Sequence, residues 1–342
     1  MMGMEWYLPL AWAWIIGAAV AMYVILDGFD LGIGILFPFT KDEHERDQMM
    51  NTVAPFWDGN ETWLVLGGGG LWVAFPKAYA VIMPALYLPV IVMLLALIFR
   101  GVSFEFRWVA KPNKSVWNVT FAGGSIVAAF CQGLILGGLI QGVDVQTQGA
   151  LGPQFAGGAL DWATPFGALC GIGVVLGYAL LGATWLAMKT DGEVAARSRR
   201  QAAPLLIAMI VAMGLVSLWT PLLVDRIWER WFSLPNLLFL WPIPLVTAGV
   251  AWLVWRGIEN GREIGPFVGS IALFVLGFIG LAISTYPYLV PPHITFWDAA
   301  AAPASQIFMG VGTVVMFPII MGYTVFVYWI FRGKVRAGEG YH

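Results

Sequence analysis

Nine apolar runs of membrane-crossing length dominate the chain, at about 8–36, 55–75, 79–99, 117–141, 164–188, 203–224, 236–256, 266–290 and 305–331. Roughly 20 residues of helix cross a bilayer core. Only helices or closed barrels satisfy their backbone groups in lipid. These runs are too long for barrel strands and lack their apolar/polar alternation. The expected class is an all-α polytopic membrane protein with nine transmembrane helices. Charged residues are 11% of the total, against about 25% in soluble domains. The loops are short, so residues 1–342 read as a single integral-membrane domain. The N-terminus lacks the basic region of a signal peptide, and the first run reads as a retained helix. A formal net charge of −2 argues against nucleic acid as a partner.

The basic residues set the expected orientation, because Lys and Arg concentrate in cytoplasmic loops. Alternate connections and the C-terminal tail hold 15 of the 18 Lys and Arg, among them Lys41, Arg46, Arg100, Arg107, Lys111, Lys114, Lys189 and Arg197. The opposite side holds Lys77, Arg226 and Arg230. The expectation is a periplasmic N-terminus, a cytoplasmic C-terminus and residence in the bacterial cytoplasmic (inner) membrane. The Trp- and Arg-rich segment 225–235 reads as an interfacial anchor.

Against this background, four carboxylates stand out. Asp27 and Asp30 lie in D-G-F-D-L-G near the end of the first run. Asp58 and Glu61 lie in P-F-W-D-G-N-E-T-W at the start of the second, with Asn60 between Trp57 and Trp63. Acids inside membrane segments are costly to keep. Asp30 would lie roughly 10 Å from the cytoplasmic end of its helix, Asp58 roughly 5 Å in and Glu61 roughly 10 Å in. Each pair has i, i+3 spacing and shares a face. Consecutive antiparallel helices usually pack together, so the pairs would face one another as a proton half-channel. Plainer readings stay open: Asp58 capping its helix, Asp27 and Asp30 fixing a Gly-rich bend, and Glu61 pairing with a base on another helix.

Other polar positions carry less. F-R-G-V-S-F-E-F-R, with Arg100, Glu105 and Arg107, reads as a cytoplasmic ion-paired cap or a partner interface. Asp298 reads as an N-cap or partner contact, and Gln132 as a helix–helix hydrogen bond. Cys131 and Cys170 read as packing residues. His44, His293 and His342 all lie outside the apolar runs, so two axial ligands for a haem are not offered. No metal cluster, phosphate loop or nucleophile–base pair is visible.

D-G-F-D-L-G-I-G (27–34), P-F-W-D-G-N-E-T-W (55–63), F-R-G-V-S-F-E-F-R (99–107) and F-W-D-A (296–299) occur in an order and spacing that resemble subunit II of the cytochrome bd family of quinol oxidases, of the cyanide-insensitive type. The likeness runs over essentially the whole chain. It implies two four-helix bundles plus one extra helix. It implies a complex that oxidises quinol and reduces oxygen to water with cytoplasmic protons. Haems b and d would sit in a partner, subunit I, and none would be ligated by this chain. Membrane lipid, a bound quinone and small single-helix subunits are further partners it implies. By the resemblance Asp58 is a proton-pathway acid, with Asp30 and Asp27 as companions and Glu61 as an added relay site. Trp63 lies near the oxygen route, with Trp57 and Asn60 beside it. The residues alone leave two alternatives, a proton-coupled secondary transporter and a structural membrane scaffold.

Overall fold

A computed structural model describes residues 3–110, 113–147, 152–336 and 338. Lys111, His342 and part of the outer connection at 148–151 lie outside the described residues. The first helix, α1 (Met4–Leu36), ends in a short turn and is followed by α2 (Glu43–Asn51), α3 (Trp57–Ala74), α4 (Pro76–Val109) and α5 (Lys114–Gln141). A two-residue hairpin, β1 (Val145–Gln146) with β2 (Gln154–Phe155), leads to α6 (Pro165–Lys189) and α7 (Gly192–Leu223). Then come α8 (Asp225–Phe232), α9 (Asn236–Leu240), α10 (Pro242–Glu259) and α11 (Ile264–Thr285). A second hairpin, β3 (Tyr288–Val290) with β4 (Ile294–Thr295), precedes α12 (Phe296–Ala299) and α13 (Pro303–Ile330). Proline opens α4, α6, α10 and α13, where its missing N–H is no loss.

The chain is mostly helical, and eight helical segments among the described residues are long and apolar enough to cross a membrane. The expected run at 55–75 is the exception. It forms α3, but 18 residues that include Asp58, Asn60, Glu61 and four consecutive glycines are too polar to qualify by composition. The run expected at 266–290 stops at Thr285, because Pro287 disfavours helix in the residue before it. The acidic K-D-E-H-E-R-D stretch at 41–47, outside the apolar runs, is also ordered. It enters α2, whose N-cap Asp42 accepts the backbone N–H groups of His44 and Glu45.

The C-terminal half of α1 is the axis of the molecule. Every residue from Asp27 to Phe37 is buried, with α3, α5 and α6 packed around it. Glycine makes this possible. A Cβ at Gly32 would lie 1.9 Å from the Tyr178 carbonyl oxygen, and one at Gly34 would lie 2.0 Å from Ser125 Oγ. The D-G-F-D-L-G-I-G pattern therefore serves close backbone approach on several sides.

Candidate functional site: a buried arginine among carboxylates

Asp27 and Asp30 have no side-chain exposure, and neither has Arg100. Arg100 rises from α4 on the stripe Leu97, Arg100, Ser103, Phe104, Arg107, all buried. Here α5 packs closely on α4 at Gly124, where a Cβ would lie 3.2 Å from Arg100 Cβ, and the Arg100 side chain extends to α1. Its Nη1 lies 3.0 Å from Asp27 Oδ1 and 3.8 Å from Glu61 Oε2, and its Nη2 lies 3.8 Å from Asp30 Oδ2. Among the described residues, Arg100 meets Asp27 and Asp30 as ion pairs without well-aligned hydrogen bonds, and the Tyr23 hydroxyl also lies beside Asp27. The cluster is thus held mainly by charge.

Asn60 supplies the aligned contacts. Its Nδ2 donates to Asp30 Oδ2 at 2.8 Å and to the Leu26 carbonyl at 3.3 Å. A carbonyl only accepts, so this fixes the amide orientation. Tyr328 from α13 then donates to Asn60 Oδ1 at 2.9 Å. On the other side, Tyr178 donates to Gln132 Oε1 at 2.6 Å, and Gln132 Nε2 donates to Tyr23 Oη at 2.8 Å. Gln132 so makes the interhelical bonds expected of a polar group at membrane depth.

Asp58 stands apart. It is exposed, and α3 has no side-chain cap bond. The buried stripe of α3 is Asn60, Trp63, Gly67, Gly70. At 3.6 residues per turn, Glu61 falls about 100° from Asn60 on the helix and Asp58 about 160° from it. Glu61 keeps 27% side-chain exposure. The two acids of α3 therefore do not both face Asp27 and Asp30, as their spacing suggested. Glu61 joins the cluster, and Asp58 looks outward one turn nearer the helix start. Trp63 is buried against Ala19 and Tyr23 with Phe317 edge-on at 5.7 Å. Trp57 stacks on Phe104 at 4.8 Å, and Arg100 lies over the same Phe104 at 5.7 Å.

Arg100 was expected in a cap or partner interface, and it is instead the counter-ion of the acids. Glu105 is exposed and makes no ion pair among the described residues. Asp298 sits at the third position of α12 in a capping box with Thr295, Oδ2 accepting from Thr295 Oγ1 at 2.6 Å. A second charged layer surrounds Arg107, with partners on α2 and α5 that its sequence neighbourhood does not indicate. Arg107, buried, binds Asn118 Oδ1 and the carboxylates of Glu43 and Asp47, while Lys114 also binds Asp47 at 2.8 Å. Arg197 binds Glu45 and Thr40. The helix α2 is thereby tied to α4, α5 and α7. Among the described residues, His44 and His293 are exposed and lie outside the long helices.

The family model described as Cytochrome bd terminal oxidase subunit II matches residues 8–331. The chain is 28% identical to the Cytochrome bd-I ubiquinol oxidase subunit 2 of Escherichia coli (strain K12), over 97% of this chain and 96% of that one. It is 28% identical to the Cytochrome bd ubiquinol oxidase subunit 2 of Bacillus subtilis (strain 168), over 95% of this chain and 97% of that one. Among solved structures, the bd oxidase from Geobacillus thermodenitrificans shares the fold at a TM-score of 0.76 and 14% identity, covering 95% of this chain and 98% of its own.

Proposed function

The chain belongs to the cytochrome bd terminal oxidase subunit II family, and from that premise we propose that it is the haem-free accessory subunit of a quinol-oxidising, oxygen-reducing complex. Its relatives are subunits of such oxidases by name. The haems, of types b and d, lie in a partner subunit I, and membrane lipid or quinone and small single-helix subunits complete the assembly. All nine helical runs cross the inner membrane, α3 included, as two four-helix bundles and one extra helix. The N-terminus is periplasmic and the C-terminus cytoplasmic.

The subunit's own chemistry is proton handling from the cytoplasmic side. The observation that carries this reading is Arg100 set among Asp27, Asp30 and Glu61. One guanidinium balances one carboxylate. A second fully buried carboxyl stays neutral only by holding a proton, because an unpaired buried charge costs several kcal/mol. The cluster is thus a proton store, with exposed Asp58 nearest the solvent end of α3. Trp57, Trp63 and Asn60 wall it, and Trp63 borders the oxygen route. Purification of the native complex tests the assignment. A haem-bearing partner with b- and d-type bands and quinol-driven oxygen consumption is expected. A colourless chain that exchanges solute would overturn it.

A further inference from the structure

We propose that Glu61 is the port through which the buried cluster exchanges protons, the cluster being closed on its other sides. The inference deepens the proton-handling reading and rests on it. It stands on exposure, on packing, and on the direction of the hydrogen bonds.

Exposure comes first. Among the charged groups in contact, Asp27, Asp30 and Arg100 are fully buried, and Glu61 alone retains access at 27%. Asp58 stands on the same helix at i, i+3, within about 5–6 Å between Cβ atoms. The carboxylates of Asp27 and Asp30, gathered with Glu61 around the single Arg100 guanidinium, give an arriving proton somewhere to bind.

The other sides are closed by rings and amides. Cytoplasmic to Asp30 lies a crevice of about 260 Å³ lined by Thr52, Phe56, Lys189, Phe331 and Lys334 among others. Phe56 floors it, stacked on Tyr328 at 4.4 Å. Trp185 meets Phe56 at 6.0 Å and stacks on Phe29 at 4.2 Å. This aromatic layer separates the crevice from Asp30. Tyr328 pierces it, but its hydroxyl ends on Asn60 Oδ1. A carboxamide has fixed donors and acceptors and does not ionise, so it passes no proton to Asp30. On the other side buried Tyr23 adjoins Asp27, and behind it Gln132, a carboxamide, interrupts the path to Tyr178. Buried Trp63 closes the flank beyond Asn60.

A proton taken up by the Glu61 carboxylate therefore moves to Asp27 or Asp30, and Arg100 keeps its own protons. It leaves by the reverse step. The cluster fills and empties from the outward face of α3.

Infrared spectroscopy of the assembled complex after transfer to deuterium oxide reads this directly. The signal is the carboxyl C=O band that Asp27→Asn or Asp30→Asn removes. In native protein the band shifts promptly. In Glu61→Gln, with the haem spectrum unchanged, the shift is expected to slow at least tenfold, and Glu61→Asp restores part of the rate. Native exchange in Glu61→Gln would overturn the proposal. Should Glu61→Gln not assemble, Glu61→Asp carries the test: severalfold slower exchange supports the port, and native exchange refutes it. Infrared exchange needs no turnover. A complex lacking oxidase activity would sink the functional assignment, and a fast band in Glu61→Gln would sink only the port.

Discussion

Arg100 is the residue on which the site depends. Replacing it with Met leaves Asp27 and Asp30 buried without counter-charge, a change costing about 3–5 kcal/mol. The expected outcome is a sharply lower yield of folded complex and a lower melting temperature. Asn60→Leu keeps the branched outline, slightly enlarged, but removes the donor to Asp30 and the acceptor of Tyr328. It should cost about 1–3 kcal/mol, read by thermal unfolding. The acids themselves were legible in the sequence, because a carboxylate inside an apolar run demands a partner. The partner was not, since Arg100 arrives from a helix far along the chain. A signal existed: Leu97, Arg100, Ser103, Phe104 and Arg107 share one face at helical spacing, and that face is buried. The opposite outlook of Asp58 was likewise written in the stripe Asn60, Trp63, Gly67, Gly70, which i, i+3 spacing of the acids alone does not reveal.

Between elements, α1 and α6 meet backbone to backbone. A Cβ at Gly182 would lie 2.4 Å from the Gly32 carbonyl carbon. Backbone cannot step aside as a flexible side chain can, so Gly182→Ala should separate α1 from α6 and destabilise the fold by about 1–3 kcal/mol or more. Loss of folded protein on heating measures it. The C-terminal tail is held by electrostatics instead. Lys334 binds Glu263 at 2.8 Å and Asp191 at 2.9 Å. Its hydrogen bond holds the Glu263 carboxyl below the usual range, and Glu263 and then Asp191 raise the Lys334 ammonium. A lowered acid stabilises above its unfolded pKa and stops doing so as pH falls through the folded value. A raised lysine stabilises below its unfolded pKa and is lost as pH rises through the folded one. The tether is complete from about pH 4.3 to 10.4. Amide exchange at 331–336 should quicken below that window. Helix existence was legible from run length. The helix α2 was not, because K-D-E-H-E-R-D has no apolar face, and its ordering comes from Arg107, Lys114 and Arg197 on other helices together with burial of Met49 and Met50 in its last turn.

At the scale of the whole molecule, two charged layers lie toward one end of the bundle. The Arg100 cluster lies deeper, and the α2 layer of Glu43, Asp47, Arg107 and Lys114 caps it. Fifteen of the 18 Lys and Arg belong to that end by the sequence reading. A C-terminal tag should accordingly be reachable by protease only from the cytoplasmic side of sealed vesicles. The faces of α10 and α13 are largely exposed and apolar, which suits lipid and a membrane partner. Asp58 opens from the exposed side of α3 one turn before Glu61, so on the proposed route it takes up cytoplasmic protons ahead of that port. The decisive measurement is quinol-driven oxygen consumption per haem in the complex carrying Asp58→Asn. The account expects a native haem spectrum with turnover reduced at least about tenfold, or 1.4 kcal/mol of added barrier. Native turnover at native haem content would contradict it.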